Sequence, residues 1–251
     1  MTATALATRG LNKNFGSLVV AREIEIALPQ GTRYALIGPN GAGKTTLINL
    51  MTGMLRPDAG QIVLGGEDIT ALGPEQRVRR GLVRTFQINS LFPHLNPLEA
   101  VTMAICERER ISRTWWKTTA DYRAAVDEAY SVLDSLMLAP VSYRETRELA
   151  YGQQRLLEIA LALATKPKVL LLDEPAAGVP RDESAELFTA INNLSKDITV
   201  LFIEHDMELV FRLASRIIVM VSGGILLEGT PAEIAADPRV REVYLGGAAH
   251  G

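Results

Sequence analysis

One short stretch constrains this chain more than any other: Gly38, Pro39, Asn40, Gly41, Ala42, Gly43, Lys44 and Thr45 in succession, followed by Thr46. The spacing Gly-x4-Gly-Lys-Ser/Thr works only as a turn that leaves a strand and enters a helix. Both flanks meet that condition. Tyr34–Ile37 is an apolar run, and Lys44–Thr52 carries helical spacing before stopping at Gly53. Glycines let the backbone wrap around a phosphate without Cβ clashes, while successive N–H groups and the helix N-terminus direct partial positive charge inward. Lys44 is expected to reach the β- and γ-phosphates of a nucleotide, and the Thr45 hydroxyl to ligate Mg²⁺.

Around this turn, short apolar runs bounded by Gly or Pro predict strands at Arg33–Gly38, Val83–Phe86, Val169–Asp173, Thr199–Ile203 and Ile217–Val221. Helical patterns at Lys44–Thr52, Gln153–Ala164 and Asp182–Leu194 separate several of them, so a largely parallel α/β sheet is expected. Ala21–Leu28 and Gln61–Leu64 alternate like half-buried antiparallel strands, which predicts a small flanking β-subdomain. From Ile88 to Leu149 the spacing predicts helices at Pro97–Arg110 and Asp121–Leu138, a helical lobe inserted into one core. The expected division is a core over 1–87 and 150–237, a helical subdomain over 88–149, and a short C-terminal helix, Arg239–Tyr244, with a tail over 238–251.

Bulk properties exclude several classes. Across 251 residues the chain is 47% apolar and 22% charged, ordinary globular usage rather than a disordered, collagen-like or disulfide-bonded scaffold. The net charge of −3 comes from interleaved acids and bases, without the basic stripe that duplex binding requires, so no nucleic-acid partner is expected. Residues 1–10 carry neither a charged n-region nor an apolar h-region, and no apolar run approaches the roughly 18 residues of a spanning helix. Cys106 is the sole cysteine and is expected to be a small buried hydrophobe. Trp115 and Trp116, among interleaved charges, are expected on a solvated helix-and-loop surface.

Two further strand ends carry chemistry. Val169–Asp173 runs into Glu174, which places two carboxylates at the carboxyl end of a buried strand, beside the crevice where α/β sheets bind nucleotides. Asp173 is expected to hold Mg²⁺, and Glu174 to orient or deprotonate an attacking water. His205 follows the Thr199–Ile203 strand in the same way, within reach of a γ-phosphate. His94 and His250 have no such context.

The order of phosphate loop, Arg84-Thr85-Phe86-Gln87, Leu149-Ala150-Tyr151-Gly152-Gln153, Asp173-Glu174 and His205 resembles an ATP-binding cassette subunit over nearly the whole chain. The resemblance implies a P-loop NTPase core of RecA-like type with an antiparallel β-subdomain and an inserted α-helical subdomain. It implies Gln87 as a residue that contacts Mg²⁺ and the lytic water, His205 as a switch histidine, and Phe15 as the aromatic that stacks on adenine; from the sequence, a plain core phenylalanine stays open. It implies that Tyr151, Gly152 and Gln153 complete the ATP site of a second subunit, identical or different. It further implies peripheral attachment to permease subunits at the cytoplasmic face of the membrane, with a solute-binding protein upstream.

Three positions depart from the family pattern. Ala150 lacks the usual serine hydroxyl, Tyr151 stands where a glycine is usual, and Pro180 replaces an Asn or Asp. Ala150-Tyr151-Gly152-Gln153 and Tyr244-Leu245-Gly246 are similar to ATPases that import branched-chain and hydrophobic amino acids. An exporter ATPase, a soluble cassette acting on nucleic acid or ribosomes, and a non-hydrolysing regulatory cassette stay open as alternatives. The single phosphate loop, the lobe of about 60 residues without a long coiled coil and the absent basic stripe disfavour the second of these, and Lys44, Asp173, Glu174 and His205 disfavour the third.

Overall fold

The computed structural model describes residues 3–85, 91–110 and 119–245. The described residues pack as two compact units: those within 1–84, 168–175 and 195–245 form the first, and those within 85–167 and 176–194 the second. Gln87, Trp115, Trp116, Gly246 and His250 lie outside the described residues.

The first unit holds two sheets. Strands β1 (Thr4–Phe15), β2 (Leu18–Pro29), β4 (Ala59–Leu64) and β5 (Glu67–Asp68) form an antiparallel sheet in the order β2-β1-β4-β5. β1 was not anticipated from sequence. Strands β3 (Arg33–Ile37), β6 (Leu82–Arg84), β7 (Val169–Asp173), β8 (Thr199–Ile203), β9 (Arg216–Val221) and β10 (Gly224–Gly229) form a second sheet in the order β10-β9-β3-β8-β7-β6. Its inner strands are parallel, and β10 returns antiparallel on β9. β8 is buried at every position and β7 at all but Asp173, the continuous apolar run of a strand covered on both faces.

Between the sheets lies α1 (Lys44–Thr52), over the span its spacing predicted. Leu47, Ile48, Leu50 and Met51 share one cluster with Leu6, Ile24 and Ile62 of the first sheet and Leu36, Leu171, Leu201 and Met220 of the second. Burying each such side chain contributes about 1.5–3 kcal/mol. The far end of α1 is closed by Arg77, from α2 (Pro74–Arg79), whose side chain is fully buried. Its Nη1 donates to the carbonyls of Leu50 (2.7 Å) and Met51 (2.6 Å), its Nε to Leu72 (2.9 Å) and its Nη2 to Thr70 (2.9 Å). The last carbonyls of the helix thus meet a fixed cation, in addition to the Gly53 N–H that Leu50 accepts at 3.2 Å.

The second unit is helical: α3 (Pro97–Arg108), α4 (Thr119–Ser135), α5 (Tyr151–Leu163) and α6 (Arg181–Asn192), with 3₁₀ turns at Ala139–Val141 and Thr146–Glu148. Asn96 and Glu99 form a reciprocal capping box at the head of α3. Arg108 ties α3 to α4 through a fork on Glu128, Nη1 to Oε1 at 2.9 Å and Nη2 to Oε2 at 2.8 Å. Residues 150–167 and 176–194, expected with the core, group instead with these helices, because α5 packs on α3, α4 and α6. Cys106 is buried, where desolvation raises its pKa. Further along the first unit lie α7 (Met207–Leu213), α8 (Pro231–Ala236) and α9 (Pro238–Leu245). Among the described residues, no helix is long and apolar enough to cross a membrane.

Candidate functional site

The parallel register brings the candidate catalytic groups to one rim of the first unit. Leu36 of β3 and Asp173 of β7 both pair with Ile203 of β8. Gly38, Glu174 and His205 therefore leave neighbouring strands at the same edge, as expected of a nucleotide crevice at strand carboxyl ends.

The phosphate loop turns sharply into α1. Gly43, the residue before the helix, has φ 101°, and a Cβ there would meet the Val20 carbonyl oxygen at 2.4 Å, so no other residue fits. The Lys44 ammonium is folded back onto its own loop, 2.7 Å from the Gly38 carbonyl and 3.0 Å from that of Pro39. Its side chain is buried, and desolvation lowers its pKa against the opposing pull of Glu174 and Asp173. Thr45 is exposed and Thr46 half-buried at the loop's exit.

At the end of β7, Asp173 Oδ2 meets Arg84 Nη2 at 2.5 Å, and Arg84 Nη1 donates to Asn49 Oδ1 on α1 at 2.8 Å. Glu174 adopts φ 49°, a left-handed backbone that is costly for a residue with a side chain. Its N–H is held by the Ile203 carbonyl at 3.0 Å, and its Oε1 lies 2.8 Å from His205 Nε2. Both side chains stay open to solvent, so an oxygen nucleophile has access to the carboxylate. Phe15 is not a core residue: it is 49% exposed at the end of the β1–β2 hairpin, with the Lys13 ammonium 5.6 Å from its ring centroid.

In the second unit, α5 begins at Tyr151 rather than at the expected Gln153, so Tyr151–Gln153 form its first turn. Gln153 Oε1 accepts from the Ala150 N–H at 3.2 Å. The Gly152 N–H donates to Glu183 Oε2 at 2.7 Å. The Arg155 guanidinium sits 5.5 Å from the centroid of the Tyr151 ring and donates to the Tyr151 hydroxyl (3.4 Å) and the Ala177 carbonyl (3.3 Å). It also pairs with Glu158 at 3.0 Å. Glu158 is buried with Oε1 unpartnered, and desolvation outweighs Arg155 to push its pKa up to about 7. Gly178 has φ 77°, and a Cβ there would lie 3.1 Å from the Tyr151 hydroxyl oxygen.

The phosphate loop, Asp173, Glu174 and His205, singled out from the sequence, thus lie on one rim, while Gln87 lies outside the described residues. Sequence reasoning missed Asn49, Glu183, Arg155, Glu158 and the role of Arg84. Of these, only the Arg155–Glu158 pair, three residues apart on a helix, left a readable signal.

Residues 21–177 match the family described as ABC transporter. The chain belongs to the ABC transporter family. Residues 225–250 also match the family described as branched-chain amino acid ATP-binding cassette transporter. Among ABC relatives, the high-affinity branched-chain amino acid transport ATP-binding protein BraF of Pseudomonas aeruginosa is 37% identical over 98% of this chain and 99% of its own. LivG of Salmonella typhimurium, which bears the same description, is 39% identical over the same shares. A crystal structure of the ADP conformation of an ABC transporter cassette is 33% identical, with TM-score 0.85 over 98% of this chain and 100% of that one. The P-loop α/β core, the antiparallel sheet and the helical unit are those of an ABC ATPase cassette, a class whose ATPase activity is coupled to transport.

Proposed function

We propose that this cassette hydrolyses Mg·ATP to drive an importer of branched-chain or other hydrophobic amino acids. The observation that carries the hydrolytic part is the convergence of Lys44, Asp173, Glu174 and His205 on one strand-end rim. The solute class rests on the relatives' names.

In this reading the loop from Gly38 to Thr46 cradles the phosphates and Phe15 stacks on the adenine. Lys44 leaves two neutral carbonyls for the β- and γ-phosphates. The Thr45 hydroxyl and Asp173 are hard oxygen donors that suit Mg²⁺, a cation that takes one or two carboxylates and fills its other positions from phosphate and water. Bound Mg²⁺ supplies neutralisation of phosphate charge. Glu174 accepts a proton from water as the water oxygen bonds to the γ-phosphorus; the bond to the β-bridging oxygen breaks and ADP leaves with its electron pair. His205 fixes the Glu174 carboxylate and donates toward the γ-phosphate.

The cassette acts as a pair with a second ATP-binding subunit, whose nucleotide meets Tyr151–Gln153, and attaches to permease subunits at the cytoplasmic face of the membrane. Glu174→Gln is expected to bind ATP normally and to lose turnover by about 10²–10⁴-fold. Near-normal hydrolysis in that variant would remove Glu174 as the base. Membrane subunits co-purified with the cassette, reconstituted with a solute-binding protein, are expected to raise hydrolysis when leucine, isoleucine or valine is added. Stimulation by another solute class alone would reject the amino-acid assignment.

A further inference from the structure

We propose that Arg84 is a positioning residue for the Mg²⁺ carboxylate, a clamp that holds Asp173 at a fixed distance from the phosphate-loop helix. The proposal rests on the reading above that Asp173 serves Mg²⁺, and it adds a residue which that reading does not use.

The pairing of β6 with β7 sets the geometry. Arg84 lies opposite Leu171 in a parallel register, and strand side chains alternate, so Leu171 and Asp173 share a face of the sheet. Arg84 ends β6 on that face, one step from Asp173. The α1 helix covers the same face, where Leu171 joins the α1 core cluster, and presents Asn49. The planar guanidinium reaches both: Nη2 to Asp173 Oδ2 and Nη1 to Asn49 Oδ1 at 2.8 Å. One rigid group therefore ties the end of the carboxylate strand to the helix that carries Lys44 and Thr45.

The clamp need not release when the cation arrives. A carboxylate has two oxygens and about four lone-pair sites, and Arg84 engages only Oδ2, so Oδ1 is left to face the metal or its water. Arg84 also balances charge, since Asp173 and Glu174 are adjacent. A lysine is a point charge on a flexible stem and cannot hold two acceptors in one plane. Residues that hydrogen-bond a metal-ligating carboxylate commonly cost about 10–100-fold in metal affinity when removed.

The test is equilibrium binding of a fluorescent ATP analogue to the full chain, titrated with Mg²⁺ and repeated in EDTA. Arg84→Ala is expected to raise the Mg²⁺ midpoint by about tenfold or more, while binding in EDTA stays within about threefold because Arg84 faces Asp173 and not the phosphate loop. Arg84→Lys should recover only part of the shift. Asn49→Ala, which leaves Asp173 and Arg84 in place, should move the midpoint the same way by a smaller factor, and it carries the test should Arg84→Ala not fold. An unchanged midpoint in the Arg84 and Asn49 variants, a lower midpoint, or full recovery by lysine would overturn the clamp. A wild-type chain that binds no nucleotide would instead overturn the functional reading, and the clamp with it.

Discussion

The Gly152 N–H donates to the Glu183 carboxylate at 2.7 Å. An anion already occupies the backbone donor that, in the functional reading, faces the second subunit's ATP. Ala150 offers no hydroxyl in compensation, so pairing must first displace Glu183. Hydrogen bonds to charged groups contribute about 1.5–3 kcal/mol. Glu183→Ala in a Glu174→Gln background should therefore lower the ATP concentration needed for dimerisation by about tenfold, measured by size-exclusion chromatography. A higher ATP requirement would show that Glu183 assists pairing.

His205 lies 2.8 Å from Glu174, and both are solvent-accessible. His205→Ala should reduce kcat by about 10²-fold with little change in ATP affinity, because the histidine acts on the carboxylate and the transferring phosphoryl group. A loss seen only in KM would place His205 in nucleotide binding.

Phe15 stands exposed at the hairpin end. Phe15→Ala should leave the melting temperature unchanged and weaken ATP binding by about 3–10-fold, the worth of an aromatic stack. Equal affinity for ATP and for inorganic triphosphate in the wild type would remove adenine stacking.

Glu158 sets a pH dependence of stability. Its carboxyl is held up at about 7 against an ordinary 4.5, so between those values the folded chain keeps a proton that the unfolded chain has lost. Stability from this group is complete below pH 4.5, falls as pH rises through 7, and is flat above, with a total on the order of 3 kcal/mol. Asp58, Asp68 and Glu128, whose pKa values are lowered by their partners, act in the opposite sense. The readout is therefore the difference between wild type and Glu158→Gln. Urea unfolding from pH 5 to 8 should show the glutamine variant gaining relative stability across the interval, and parallel curves would place the Glu158 pKa in the ordinary carboxylate range.

Arg77 caps the Leu50 and Met51 carbonyls of α1 from a fully buried position. Arg77→Met keeps apolar bulk but removes the side-chain donor from the Met51 carbonyl, while Leu50 keeps the Gly53 N–H at 3.2 Å, and it should cost about 1–3 kcal/mol in denaturant unfolding. A cost below about 1 kcal/mol would mean that water takes over the cap.

The parts of the site built by local rules were readable in the sequence. Gly38 to Thr46 is contiguous, and its chemistry depends on backbone shape; Asp173, Glu174 and His205 follow apolar runs whose strand character is plain. What stayed hidden depends on tertiary proximity. Arg84 and Asp173 are 89 residues apart, and Gly152 and Glu183 are 31 apart; nothing in either local pattern reports the other. The β1 strand was missed because Thr4–Phe15 mixes buried and exposed positions irregularly, with register shifts against β2. The α5 start was placed two residues late because Tyr151 and Gly152 are weak helix formers, held in the first turn by Glu183 and Arg155.

Tyr151, in the first turn of α5, and Gly178 are fitted against each other. A Cβ at position 178 would press on the Tyr151 hydroxyl at 3.1 Å, so the ring would have to give way, and the positive φ disfavours a side chain in any case. Converting Tyr151 to the commoner glycine would open a void beside Gly178 and leave the Arg155 guanidinium without its ring. Grafting the usual serine-and-glycine signature onto this cassette would thus supply a hydroxyl and at the same time remove the ring against which Gly178 and Arg155 are packed.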